Sequence, residues 1–215
     1  MKPLRCTLVS DGSSDAALLP ILTWLLRQNG LRQPIQMEWA DLRQLRWRTK
    51  PTLADKIRQS IVLYPCELLF VHRDAERERR EKRVQEIETA LSLTKLDHHL
   101  PLAICVVPVR MQEAWLLFDE AAIKFASGNR TYPKSLDLPA LKDLELLPDP
   151  KTELHERLRL ASGLTGRRLR SFSPSQRAQR LPDFISDFAP LRGLPAFAAL
   201  EDEIRLLLQR QGWDQ

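Results

Sequence analysis

Long apolar runs are missing from this chain, and nowhere does it approach the roughly 20 consecutive apolar residues that a membrane-spanning helix needs. The opening residues, Met-Lys-Pro-Leu-Arg-Cys, lack the apolar stretch and cleavage site of a secretory leader, so a cytoplasmic protein with no membrane partner is expected. Cysteine is scarce: Cys6, Cys66 and Cys105 are odd in number and widely spaced. Each lies in or beside an apolar run, which suits inert core thiols better than bridges. No Cys and His residues are spaced as a zinc ligand set. Glycine is also sparse, at 7 residues in 215, and neither G-x-x-x-x-G-K-[ST] nor G-x-G-x-x-G occurs. Enzymes that cradle nucleotide phosphates in glycine-rich loops are thereby disfavoured. No G-x-S-x-G is present, which argues against a hydrolase built on a nucleophile elbow.

What is present suits a globular protein with a core large enough to need no disulfides. Lys and Arg number 33 against 28 Asp and Glu, a formal charge of +5. That mild excess tilts the partner toward polyanions such as nucleic acid without establishing one.

Short apolar runs alternate with helix-patterned segments. Leu4 to Ser10 reads as a strand, followed by the turn Asp-Gly-Ser-Ser-Asp, and then Leu18, Ile21, Leu22, Leu25 and Leu26 recur at helical spacing. Ser13 or Ser14 is the expected N-cap and Gly30 the expected helix end. Ile35 to Trp39 is a second strand and Leu53 to Leu63 a second helix. Glu67 to Val71 is a third strand, running into a charged helix with Val84, Ile87 and Leu91 on its buried stripe. Leu102 to Val109 is a fourth strand, apolar throughout, and Ala114, Leu117, Phe118, Ala121, Ala122 and Phe125 continue at helical spacing.

Four strand-helix repeats with short connections predict an α/β fold: a mostly parallel four-stranded sheet with helices on both faces. Residues 1–127 would form this unit. From about 128, frequent prolines punctuate short helical stretches, so 128–215 is expected to be a helical lobe packed on the same core.

Ligands of such sheets sit beyond the carboxyl ends of the strands. Asp11 follows the first strand, Asp74 and Glu76 the third, and Glu113 the fourth, so all four acids are expected at one edge. In extended backbone, side chains two apart share a face, which would let Asp74 and Glu76 converge with Asp11 opposite them. Magnesium or manganese takes hard oxygen ligands of this kind. The competing reading is that Asp11 and Asp15 cap the first helix, while Asp74 and Glu76 begin a solvated charged one.

At these residues the chain resembles the TOPRIM fold of topoisomerases, primases and the overcoming-lysogenization-defect nucleases, a Rossmann-like arrangement. That fold carries an acid followed by Gly after its first strand and an Asp-x-Asp pair after a later one. More closely, it is similar to small bacterial TOPRIM-like proteins linked to mobile-element or phage-defence loci. The similarity lies in Val9-Ser10-Asp11-Gly12-Ser13-Ser14-Asp15, Val71-His72-Arg73-Asp74-Ala75-Glu76, Glu113-Ala114-Trp115-Leu116-Leu117-Phe118-Asp119, Pro148-Asp149-Pro150-Lys151 and Phe197 to Leu200.

The resemblance implies a Mg- or Mn-dependent nuclease or other phosphoryl-transfer enzyme, with a place as a defence effector beside an ATPase partner subunit. Asp74 and Glu76 would hold the metal, and Asp11 would be a ligand or general base. Glu113 would be a further ligand or the partner of a basic neighbour, and Lys151 a phosphate clamp. Asp11 stands where the family usually has Glu, and Glu76 where it has Asp. A non-catalytic TOPRIM-like interaction module with a degraded metal site is therefore the alternative. A phospho-acceptor receiver domain would need a Lys after a fifth parallel strand, and none is evident.

From Arg157 to Arg180 there are arginines at 157, 159, 167, 168, 170, 177 and 180 and no acid. Because guanidinium groups bind phosphate bidentately, Arg157, Arg159, Arg167, Arg168 and Arg170, with Lys151, are the preferred nucleic-acid contacts; a solvated helical face is the plain alternative. A second basic group, Arg43, Arg46, Arg48 and Lys50, is interleaved with Trp39 and Trp47, whose rings suit either base stacking or the core. His72 and Trp115 are more readily assigned to structure than to chemistry.

Overall fold

In a computed structural model describing residues 2–95 and 99–214, four strands form a single parallel sheet. They are β1 (Leu4–Val9), β2 (Ile35–Trp39), β3 (Leu68–His72) and β4 (Leu102–Val106), in the order β2-β1-β3-β4. Val9 pairs with Val71, and His72 with Val106, so β1, β3 and β4 end together at one edge.

Side-chain alternation divides the sheet between two apolar layers. Leu8, Phe70, Ile104 and Val106 face α1 (Leu18–Gln28), while Val9, Leu69, Val71 and Cys105 face the side covered by α2 (Leu53–Leu63) and α3 (Arg80–Lys95). Each fully buried Leu, Ile or Phe contributes about 1.5–3 kcal/mol relative to an exposed one. The periodic residues of α1, from Leu18 to Leu26, are all buried as expected. Asn29 and Gly30 end that helix, with Gly30 at φ +97°, and a Cβ there would come within 3.1 Å of the Asp214 carbonyl. Thr52 caps α2 reciprocally with Asp55.

Three local expectations give way. Neither Ser13 nor Ser14 caps α1. Instead a 3-10 turn, Ser13–Ala17, starts from Gly12, whose N–H donates to the Asp15 carboxylate at 2.9 Å, and α1 begins only at Leu18. β4 stops at Val106 rather than Val109, because Pro108 has no N–H for the ladder and Arg110 adopts φ +58°. The helix expected from Ala114 is a 3-10 turn, Gln112–Leu116, followed by α4 (Glu120–Ala126). Asp119 accepts from the Ala122 N–H at 2.9 Å and so restarts the chain as a new N-cap.

The remaining helices are α5 (Pro150–Ser162), α6 (Gly166–Arg170), α7 (Pro174–Arg180) and α8 (Pro195–Gln211). Leu154, Leu158, Phe197, Leu200 and Ile204 bring α5 and α8 into the same core as α1 and the sheet. Trp115 is fully buried and meets Phe197 edge-on at 5.3 Å, which makes it a core residue. Cys6 and Cys105 are buried and burial drives both thiols up to about 12, so they are unreactive. Among the described residues no helix is long and apolar enough to cross a membrane.

Candidate functional site

The carboxyl ends of β1 and β3 open onto a cleft of about 270 Å³ lined by Asp11, Asp15, His72, Arg73, Asp74 and Glu76, with Gly12 and Ser14 completing the wall. Individual backbone hydrogen bonds still join the segments that follow β3 and β4. Arg73, Ala75 and Glu76 donate their N–H groups to the carbonyls of Val106, Pro108 and Arg110 at 3.1, 3.1 and 2.8 Å, and this fixes the acidic segment to its neighbour.

Glu76 nevertheless sits at φ +54°, in the left-handed region, so the strand-like alternation expected to align it with Asp74 does not apply. Its carboxylate lies 3.2 Å from Arg83 of α3. Asp11 is also held by cations: Lys56 Nζ is 2.6 Å away and Arg73 Nε 3.3 Å. Burial works against the ionised Asp11, but Lys56 and Arg73 outweigh it and hold the carboxyl below its usual range.

The acid that joins Asp74 is Asp15. It is 6% exposed and accepts from the Gly12 N–H, the Ser14 hydroxyl and the Gln112 side-chain amide. Gln112 also donates its backbone N–H to Asp74 Oδ1 at 3.1 Å, so one residue ties the two acids together. Its own Oε1 is buried and has no hydrogen-bond partner. Burial first, then Asp15 and Glu76, pushes the Asp74 carboxyl up to about 7 against the opposing pull of Gln112 and Lys151.

His72 completes this group. Its Nδ1 faces the Val106 carbonyl at 3.0 Å and its Nε2 stands 3.4 Å from Asp74 Oδ1. Burial lowers its pKa, so the ring is neutral at pH 7, with Nδ1–H donating to Val106 and the Nε2 lone pair turned toward Asp74. His72 thus presents a neutral ring nitrogen to the Asp74 carboxyl.

Glu113 is 6% exposed and raised by burial, and Lys151 Nζ, at the start of α5, lies 3.8 Å from it. Lys151 thus stands beside Glu113, and its charge opposes the rise of the Asp74 carboxyl. Gln179 of α7 donates to the Ser13 carbonyl at 2.9 Å, so the end of α7 packs against the turn after β1. Arg159, Arg167, Arg168 and Arg170 are exposed, whereas Arg157 is engaged by Glu153 on its own helix.

The alternative in which Asp15 caps the turn holds, since its carboxylate accepts from the Gly12 N–H, but the sequence does not mark Gln112, Arg73 or Lys56 as site residues. Asp15 lies four residues beyond Asp11, and only the 3-10 turn carries it back under the strand ends. Gln112 had no signal beyond standing next to Glu113.

Comparison of the chain with protein-family models, curated proteins and solved structures gave no match. Among the described residues, no group of three His, Cys, Asp or Glu side chains is placed to hold a metal ion. Magnesium, however, is commonly held by one or two carboxylates with the remaining positions filled by water and substrate phosphate. Asp15 and Asp74, two carboxylates whose negative charge the protein incompletely offsets, fit that kind of site in donor chemistry.

Proposed function

We propose that this protein is a TOPRIM-like, Mg- or Mn-dependent hydrolase acting on the phosphodiester bonds of nucleic acid. The observation that carries this reading is the convergence of Asp74 and Asp15, both bound by Gln112, with Glu76 in the same cleft at the carboxyl edge of a parallel sheet. Negative charge crowded in that way favours a cation. The bound ion would polarise a phosphoryl oxygen and activate water.

Asp74 and Asp15 would hold the ion, with Glu76 and Asp11 also lining the cleft. Lys151, beside Glu113, and Arg73, in the cleft wall, would neutralise a phosphate. The exposed arginines 159, 167, 168 and 170 would carry the flanking backbone.

One observation favours the alternative, a non-catalytic interaction module: Asp11 and Glu76 already have Lys56, Arg73 and Arg83 as cationic partners. Incubation with plasmid, single-stranded DNA and RNA in manganese separates the two. Cleavage that disappears in Asp74→Ala supports the hydrolase, and no cleavage of any substrate by the wild type leaves the module.

A further inference from the structure

A second cleft, of about 170 Å³, adjoins the acid site and shares Asp11 with it. Its wall is built from Ser10, Trp39, Arg43, Trp47 and Lys56. We propose that this cleft seats one unpaired nucleobase beside the acid site, so that the protein takes single-stranded or frayed nucleic acid in preference to a closed duplex. The proposal rests on the hydrolase reading only for the identity of the neighbouring site.

The cleft is far smaller than the 300–1,000 Å³ typical of sites for drug-sized ligands and suits a single flat ring. Trp39 ends β2 and is fixed in place: its indole Nε1–H donates to the Ser10 hydroxyl at 2.9 Å. The Arg43 guanidinium lies 5.1 Å from the centre of that ring and is itself held by Asp41 at 2.7 Å. A ring and a planar cation already in position lose little freedom when a base packs against them. Trp47 adds a second, half-buried indole on a segment without regular secondary structure.

The charge around the cleft matches the ligand. Residues 42–50 contain no acid, and Arg46, Arg48 and Lys50 are exposed on either side of Trp47. Cations spaced around an aromatic side chain track a phosphate backbone while the ring takes the base, and such stacking tolerates any base. A base inside a duplex has both faces covered by its neighbours and cannot present one to an indole. Because Lys56 lines this cleft and also binds Asp11, a nucleotide seated here would bring its own phosphate to the boundary with the acid site.

The test is equilibrium binding of fluorescently labelled oligo-dT, and of a duplex of equal length, to the full chain in EDTA, where hydrolysis plays no part. The wild type should prefer oligo-dT. Trp47→Ala should weaken oligo-dT by about tenfold and leave duplex affinity unchanged, which also reports an intact fold, while Trp47→Phe should keep most of the affinity. Oligo-dT affinity unchanged in Trp47→Ala, equal loss of both ligands, or a wild type without single-strand preference would each overturn the proposal. A Trp47-dependent preference in a protein that cleaves nothing in manganese would keep this inference and remove the hydrolase reading.

Discussion

The side-chain amide of Gln112 donates to the buried carboxylate of Asp15 at 3.1 Å, linking the turn after β1 to the turn after β4 across the end of β3. Gln112→Leu would preserve approximate volume and remove this donor. Asp15 would keep Gly12 and Ser14 as donors, so a loss of about 1–3 kcal/mol is expected rather than unfolding. Urea denaturation at pH 7.5 measures it. An unchanged midpoint would mean that the bridge contributes nothing to stability.

Asp74 makes stability depend on pH in a defined direction. Its carboxyl is raised, chiefly by burial, from an ordinary 3.8 to about 7 in the folded protein, so between those values the folded state binds more protons than the unfolded state. Its contribution to stability is therefore present at low pH and is lost as pH rises from about 4 to 7. Asp74→Asn keeps a neutral polar group and should stabilise the protein by on the order of 2–4 kcal/mol at pH 8. The gain should vanish near pH 4. Thermal melts of both proteins across this range check the sign.

The sequence made the strands legible because each is a compact apolar run between polar turns, and the sheet buries both faces. Helix α1 was equally clear from Leu18, Ile21, Leu22, Leu25 and Leu26. Around the site the local signals misled. Ala114, Leu117 and Phe118 satisfy helical spacing, yet Asp119 interrupts the segment as a cap. Glu76 adopts a left-handed backbone that its residue type does not announce. The pairing of Asp11 with Lys56 joins residues 45 apart in sequence, and the link between Gln112 and Asp15 spans 97. Such long-range polar contacts leave no periodic trace in a single chain.

Trp115, two residues after Glu113 and assigned to structure from the sequence, should behave as a core residue. Trp115→Ala is expected to cost about 3–5 kcal/mol, as for a large aromatic removed from a packed interior. Chemical denaturation gives the cost. A loss below about 1 kcal/mol would contradict its burial against Phe197.

Arg167, Arg168 and Arg170 are expected to act through phosphate contacts. Replacing all three with Gln should weaken duplex DNA binding and flatten its dependence on salt, each lost contact removing about 0.9 from the slope of log K against log salt. Titrations between 50 and 200 mM salt read this slope. A slope identical to that of the wild type would return these residues to an ordinary solvated surface.

Calorimetric titration of magnesium and of manganese into the wild type, Asp74→Ala and Asp15→Ala tests most directly whether the acids at the sheet edge form a cation site. The account predicts binding by the wild type, weakened at least about tenfold in each variant because each removes one of two anionic ligands. No binding by the wild type at millimolar metal, or undiminished binding by Asp74→Ala, would contradict it.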